Sequence, residues 1–302
     1  LSDKLSIIIV SYKTREVLRK CLISLRKFAW KNQEIILVDN LSMDGTVEMI
    51  QNDFPDVKLI LPEDNLGFSM GNNEGLKNCT GDYILLLNPD TEVHENALEV
   101  IVHQLQINPE NLIAPKLINP DGSLQYSFWK KPMLIDSFLE LFFLHTLIKR
   151  NQYLTHPDKN FKIEAASGAA LAFSKSSYEI IGGLDPILFW MEDTDLCERF
   201  RNKGRSVVYL PDAVIMHIGG ESSKKNYNKA ISNQLISKLK YFKKHKNKVS
   251  FYTLSLIITF HILSRIILFQ VLYLFTKTAK AEAYRFSFRK LIRFLFKNDL
   301  SV

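Results

Sequence analysis

Residues 82–90 read DYILLLNPD, an unbroken apolar run that stops at an Asn-Pro-Asp turn. Such a run predicts a strand buried on both faces. Similar runs stand at 5–11 (LSIIIVS), 34–39 (EIILVD) and 57–61 (VKLIL). Helical stretches fall between and after them, at 14–28, 44–53, 67–79 and near 95–107. Thr14 stands where an N-cap would, with Glu16 and Val17 in the first turn. Strand and helix therefore alternate four times. Continuous rather than alternating apolar strands predict an α/β fold with a mostly parallel sheet covered by helices on both faces.

Sheets of this kind bind ligands beyond the carboxyl ends of their strands. Ser11 and Tyr12 follow the first strand, Asp39 and Asn40 end the second, Asp64 and Asn65 come after the third, and Asn88, Pro89 and Asp90 after the fourth. Asp and Asn favour turns and caps for local reasons, which would account for any one of these positions. Four strands in succession ending this way predict a polar, acidic binding edge. Further along, 111–128 reads as short strands around the turn Asn119-Pro120-Asp121-Gly122, and 133–150 as an apolar helix. Residues 167–174 (SGAALAFS) read as a strand of small residues, 193–203 as a helix, 205–210 as a strand and 226–246 as a basic helix. Gly182-Gly183 marks a helix stop.

Three places carry candidate chemistry. Asp90, at the end of a strand, is placed to hold a hard divalent cation against diphosphate oxygens, or else to cap the next helix. Glu192-Asp193 follows Phe189-Trp190-Met191. Apolar neighbours raise a carboxylate's pKa towards the range of a general base; the competing role is a negative first turn that complements a helix dipole, which is the role expected of Asp195 and Glu198. His217 follows the strand-like stretch Val214 to Met216 and precedes Gly219-Gly220, whose lack of side chains allows backbone to approach a phosphate. The loop from Asn65 through Gly67 to Gly71, Asn72 and Asn73 is a candidate nucleotide contact. It is not a GKS or GKT phosphate loop, and no GxGxxG follows the first strand, which disfavours a dehydrogenase.

Taken in order, SIIIVSY, LVDNLSMDGT, NLGFSMGNNEGL and GDYILLLNPD resemble the donor half of family-2 glycosyltransferases with the GT-A fold. SGAALAFSK, GGLDPILFWMEDTDLCERFRNKG and VIMHIGG resemble the acceptor half, particularly in the rhamnosyltransferase-like branch. The resemblance covers residues 5–225. It implies a GT-A catalytic domain over 1–225, with a nucleotide-sugar half at 1–110 and an acceptor half at 111–225. Asp39 would accept a hydrogen bond from the base of a UDP- or dTDP-sugar, with Ser11, Tyr12, Asn40, Asn65, Gly71 and Asn88 around the donor. Asp90 would be the metal-binding aspartate of the family's DxD signature, Asn88 standing where the commonest pattern has Asp, and His217 a further contact to Mn2+ or Mg2+. Asp193 would be the general base with Glu192 beside it. Trp190 would wall a sugar ring and Gly168 would leave room for the acceptor. The implied reaction is a single inverting displacement onto a saccharide or lipid-linked acceptor in cell-surface polysaccharide synthesis, rhamnose being the sugar of the resembling branch. The QxxRW segment of processive synthases is absent.

Charge divides the chain. Residues 1–223 carry 22 Lys/Arg against 30 Asp/Glu, whereas 224–302 carry 17 against 2. A basic segment calls for an anionic partner, and the Phe, Leu and Ile content of this one favours a membrane surface over nucleic acid. Residues 226–302 are thus expected to form a basic, apolar helical membrane-associating region. Residues 249–276 are long enough to cross a bilayer, but His261 and Arg265 sit mid-segment and basic residues flank both ends. A crossing, an interfacial helix and an accessory helical hairpin remain open. Peripheral or monotopic attachment at the cytoplasmic face of the cell membrane is the expectation, with a single span disfavoured. Cys21, Cys79 and Cys197 form no CxxC pair, which fits a reducing compartment. The run at 5–10 is too short for a signal-peptide core, so no targeting segment is expected there. Two other functions compete: a non-catalytic nucleotide-binding scaffold, and a sugar-nucleotide pyrophosphorylase, which would want a basic Gly-rich loop where Ser11-Tyr12-Lys13-Thr14 stands.

Overall fold

The computed structural model describes residues 3–142, 144, 159–219, 227–276 and 280–297. They belong to two compact units: one drawn from 1–131, 152–186 and 192–221, the other from 132–151, 187–191 and 222–302.

The first unit begins with four strand–helix alternations: β1 (Leu5–Ser11), α1 (Arg15–Lys27), β2 (Gln33–Asp39), α2 (Thr46–Asp53), β3 (Lys58–Ile60), α3 (Gly67–Lys77) and β4 (Tyr83–Leu87), then β5 (Thr91–Val93) and α4 (Ala97–Ile107). It continues with β6 (Leu112–Ile118), β7 (Phe128–Trp129), β8 (Phe161–Ile163), β9 (Ala165–Ala166), β10 (Ala170–Ser174), α6 (Lys175–Ile181), α7 (Glu192–Asn202) and β11 (Val207–His217). The main sheet runs β3-β2-β1-β4-β10-β6-β11-β5, with β8 also on β11. β1 pairs in parallel with β2 and β4, and β2 with β3. β10 enters antiparallel between β4 and β6, so β6 and its parallel partner β11 again point the same way as β4.

Because successive side chains of a strand face opposite ways, β1 serves both faces. Leu5, Ile7 and Ile9 join a core with Leu18, Leu22 and Leu25 of α1 and Ile101 and Leu105 of α4. Ile8 joins the opposite core with Leu76 of α3 and Leu196 and Phe200 of α7. Helix α3 lies close on β1 through glycines one turn apart. A Cβ at Gly71 would sit 2.8 Å from Val10 Cγ1, and one at Gly75 2.4 Å from Ile8 Cγ2.

Several local expectations need correction. Thr14 occupies the cap position of α1 without a side-chain capping bond; its hydroxyl lies 3.0 Å from Ser11 Oγ. The strand expected at 205–210 runs on through His217 across a register shift between Leu210 and Val214, and β5 was not foreseen. Asp195 and Glu198 do more than complement a dipole. Asp195 is fully buried and paired with Arg199 at 2.8 Å, and that guanidinium also donates to the carbonyls of Ile181 and Gly183, both at 2.7 Å. Glu198 pairs with Arg201 in the same way. The two arginines lock α7 to neighbouring backbone.

The second unit contains α5 (Leu134–Leu141), α8 (Tyr227–His245), α9 (Lys248–Thr276) and α10 (Lys280–Lys297). The helix expected at 133–150 is described only as far as Leu141; 143 and 145–150 lie outside the described residues. Leu235, Leu239 and Phe242 of α8, Leu254, Ile258 and Ile262 of α9, and Leu291 and Phe294 of α10 form its core, which Leu141, Leu188 and Met191 join. His261 is buried, and the guanidinium of Arg265 donates to the carbonyl of Leu141 at 3.4 Å, so the polar residues in the middle of α9 turn inward. The outward face carries Val249, Tyr252, Leu256, Phe260, Leu263 and Ile267, all exposed. Among the described residues, Lys248–Val271 is the one helical stretch long and apolar enough to cross a membrane by length and composition.

Candidate active site

The topology brings the candidate residues of the first unit to one edge. β1, β2 and β4 end there at Ser11, Asp39 and Leu87, and β10 begins there, Ala170 being opposite Leu87. The N–H of Asn88 donates to the carbonyl of Ala169 at 2.9 Å, tying the Asn-Pro-Asp turn to the segment that holds Gly168. β6 and β11 end on the same side, and His217 pairs with Thr91 of β5, next to Asp90.

At the end of β2, Asp39 is buried and engaged through both carboxylate oxygens. The N–H of Ser42 donates to Oδ2 at 3.1 Å and its hydroxyl to Oδ1. Ser42 Oγ also accepts from the N–H of Lys13 at 3.0 Å, joining the loops after β1 and β2. Both loops hold left-handed residues, Lys13 at φ +56°, Leu41 at +57° and Met43 at +49°. Such backbone costs of order 1 kcal/mol or more per residue and persists where its surroundings over-determine it. Asn40 spans to the third loop, its amide donating to Gly67 O at 3.0 Å and its Oδ1 accepting from Leu66 N at 3.3 Å. Asn65 Oδ1 accepts from Gly67 N at 2.9 Å. Tyr12 is 45% exposed at this edge, whereas Ser11 is fully buried with its hydroxyl on Thr14. Gly71 owes its lack of a side chain to contact with Val10 and Asn40.

Asp90 and His217 form the second cluster, with Asp90 Oδ1 3.4 Å from His217 Nε2. Asp90 Oδ2 accepts from the N–H of Gly219 at 3.2 Å, where Gly219 takes φ +74°. Nearby, Asn88 Oδ1 is buried without a hydrogen-bond partner among the described residues. A carboxylate, an imidazole nitrogen and an orphaned amide oxygen at one edge fit a divalent cation of the Mn2+ or Mg2+ type, the imidazole being the better match to Mn2+. Among the described residues no group of three or more His, Cys, Asp or Glu forms a metal cage. A cation held by so few protein groups would complete its shell with diphosphate oxygens and water.

Asp193 opens α7 beside Glu192. Its Oδ2 accepts from the N–H of Gly168 at 3.0 Å, and its Oδ1 from the N–H of Thr194 at 2.6 Å and the Thr194 hydroxyl at 3.2 Å. Removal from water pushes the carboxyl up from 3.8 to about 6, against those hydrogen bonds, which favour the charged form. A carboxylate titrating there is ionised at neutral pH yet basic enough to take a proton from a hydroxyl as it reacts. Gly168 is thus the residue that aims Asp193; a Cβ on it would lie 3.4 Å from Asp193 Cβ. Trp190, in the second unit, takes φ +77° and is 45% exposed. For a bulky residue that backbone is a genuine outlier.

Three supporting residues escaped the sequence reading. Gln125 holds His217, with Oε1 2.7 Å from Nδ1. Thr194 holds Asp193, and Trp129 Nε1 donates to Thr194 Oγ1 at 3.3 Å. The turn at 119–122 was the available signal for Gln125. It sends the chain back along β6, bridging Ile118 to Leu124, and β6 lies against β11.

A mixed sheet of this order between helices, with an Asp–His pair and a carboxylate of raised pKa at its strand ends, has the architecture of a GT-A-type glycosyltransferase. The family profile for glycosyl transferase family 2 matches residues 6–182, and the chain belongs to that family. A relative from Mycobacterium tuberculosis, N-acetylglucosaminyl-diphospho-decaprenol L-rhamnosyltransferase, is 26% identical over 237 residues, covering 72% of this chain and 76% of the relative. Among solved structures, GalNAc-T7 with UDP, GalNAc and Mn2+ superposes with a TM-score of 0.58 at 18% identity, covering 74% of this chain and 44% of that one. The mannosyltransferase PcManGT from Pyrobaculum calidifontis, in complex with GDP-Man and Mn2+, superposes at 0.57 with 14% identity, over 98% of this chain and 88% of that one. At these identities the two structures speak for the fold.

Proposed function

We propose that this chain is an inverting, metal-dependent hexosyltransferase that moves a sugar from a UDP- or dTDP-linked donor onto a saccharide or lipid-linked acceptor in cell-surface polysaccharide synthesis. Rhamnose is the sugar favoured by the relative from Mycobacterium tuberculosis. The observation that carries the reading is the hydrogen-bonded path along one sheet edge. It runs from Asp193 through Gly168 and Ala169 to Asn88, with Asp90 and His217 beyond.

In this mechanism Asp39 and Asn40 organise the three loops that receive the nucleotide, and Tyr12 and Asn65 border it. Asp193 accepts the proton of the acceptor hydroxyl while that oxygen bonds to the anomeric carbon. The anomeric C–O bond to the diphosphate breaks with its electron pair on the leaving oxygen, so configuration inverts. Asp90, His217 and Asn88 would hold the divalent cation, which when bound supplies charge neutralisation for the leaving diphosphate. Glu192 would meet the acceptor beside Asp193, and the positive φ of Trp190 supports a binding role for that residue.

The outward apolar stripe of α9, within a chain segment carrying 17 Lys/Arg against 2 Asp/Glu over 224–302, supports attachment in the plane of an anionic membrane surface at its cytoplasmic face. A lipid-linked acceptor would be met there.

Calorimetric titration of UDP, dTDP and GDP, each with and without Mn2+, into wild type and Asp90→Ala tests the donor site. Tight Mn2+-dependent binding of one nucleotide, lost in Asp90→Ala, supports the reading. Folded protein that binds none of them returns the non-catalytic scaffold to the front.

A further inference from the structure

The Asp90–His217 pair raises a question of proton placement. A histidine ligates a cation only through an unprotonated nitrogen, and the hydrogen bond at its other nitrogen decides which one that is. His217 Nε2 faces Asp90 Oδ1 at 3.4 Å, and Nδ1 faces Gln125 Oε1 at 2.7 Å.

The orientation of the Gln125 amide is fixed by groups other than His217 Nδ1. Its nitrogen lies 3.1 Å from the backbone carbonyl of His217 and 2.9 Å from Asn119 Oδ1. A backbone carbonyl only accepts, so the amide NH2 must face it; a flipped amide would set oxygen against oxygen. Gln125 Oε1 is then left facing Nδ1, and Nδ1 must carry a proton to satisfy it. Asn119 is held in turn, its amide donating to Ser123 Oγ at 2.9 Å, and the backbone N–H of Gln125 donates to Leu117 O at 3.0 Å. The arrangement is anchored on the end of β6 and the turn at 119–122.

We propose that Gln125 is a positioning residue that holds His217 as the Nδ1–H tautomer and so presents the Nε2 lone pair to a cation shared with Asp90. The proton on Nδ1 is set whether or not Nε2 is protonated, so Nε2 is the nitrogen available for ligation. Without a shared cation or proton, the Nε2 lone pair and the Asp90 carboxylate would oppose each other as two acceptors. This inference rests on the reading of Asp90 and His217 as the cation site. Gln125 acts through the imidazole and touches no reacting atom.

The experiment uses the full chain labelled with 15N-histidine, together with Gln125→Leu, which keeps bulk and removes the acceptor. Metal-free NMR reads the tautomer of His217, assigned by its loss in His217→Ala. Mn2+ affinity is read separately by electron paramagnetic resonance in the presence of UDP or dTDP. The expected result is an Nδ1–H tautomer in wild type, a mixed or Nε2–H tautomer in Gln125→Leu, and an affinity about 10- to 100-fold weaker in Gln125→Leu. A folded Gln125→Leu that keeps both the wild-type tautomer and the wild-type affinity overturns the proposal. Mn2+ that fails to bind wild type, with the tautomers as expected, overturns the cation reading and leaves the role of Gln125 in fixing the imidazole intact.

Discussion

Asp193→Asn separates chemistry from folding in this chain. The folded pKa of about 6 lies above the ordinary 3.8. Folding therefore favours the protonated form: the stability present below pH 3.8 is lost as the pH rises through 6. Above that range, keeping Asp193 charged costs about 3 kcal/mol at 1.36 kcal/mol per pKa unit. Asn removes this penalty, but its NH2 must face the N–H of Gly168 or of Thr194, a mismatch costing about 1–3 kcal/mol. The two terms oppose, so at pH 7.5 the variant is expected to unfold within about 2 kcal/mol of wild type. At pH 4 only the mismatch remains, and the variant falls below wild type. Turnover behaves differently: loss of a general base costs about 10²- to 10⁴-fold. In wild type the base is ionised in about nine-tenths of molecules at pH 7 and about a tenth at pH 5, so kcat/KM should fall roughly tenfold over that interval. The assay is nucleoside diphosphate release from the donor identified by calorimetry, with melting curves at both pH values. A folded Asp193→Asn with turnover within about threefold of wild type would refute the assignment of the base.

Other perturbations are equally direct. Gly75→Ala puts a Cβ 2.4 Å from Ile8 Cγ2, and overpacking of that kind costs about 1–3 kcal/mol; urea unfolding with an unchanged denaturant slope would register it. Arg199→Met removes the ion-pair partner of the fully buried Asp195 and should cost about 3–5 kcal/mol, read as a drop in unfolding midpoint that Asp195→Asn in the same chain partly restores. Leu256→Glu with Phe260→Glu puts two charges on the outward stripe of α9; co-sedimentation with anionic vesicles should be lost while the melting temperature holds, and unchanged sedimentation would remove that face from the membrane reading.

Much of residues 1–110 was legible because the signals there are local. Runs such as LSIIIVS and DYILLL are buried on both faces, and a buried strand without its own polar alternation advertises itself in one dimension. The polar residue after each such strand is at the carboxyl edge of the sheet by topology alone, which is why Asp39, Asn40 and Asp90 could be named together. Residues 111–225 were less legible. β10 enters antiparallel, β11 carries a register shift, and β7 and β9 are two-residue strands with no periodicity to detect.

By itself the sequence determined the alternation of elements, the polar residues at the carboxyl edge of the sheet, the family resemblance and the charge division between acidic and basic parts. Only the tertiary structure decided that Gly71 and Gly75 serve packing, that Ser11 turns its hydroxyl away to Thr14, and that His261 and Arg265 face inward so that the exposed stripe of α9 is apolar. It also decided the partners of the two functional clusters, Gly168 on Asp193 and Gln125 on His217, across 25 and 92 residues of chain. The physical reason is common to all of these. Periodicity and turn chemistry are properties of neighbours along the chain, whereas the burial that raises a carboxyl's pKa and the hydrogen bond that selects a tautomer come from residues that become neighbours only when the sheet is built.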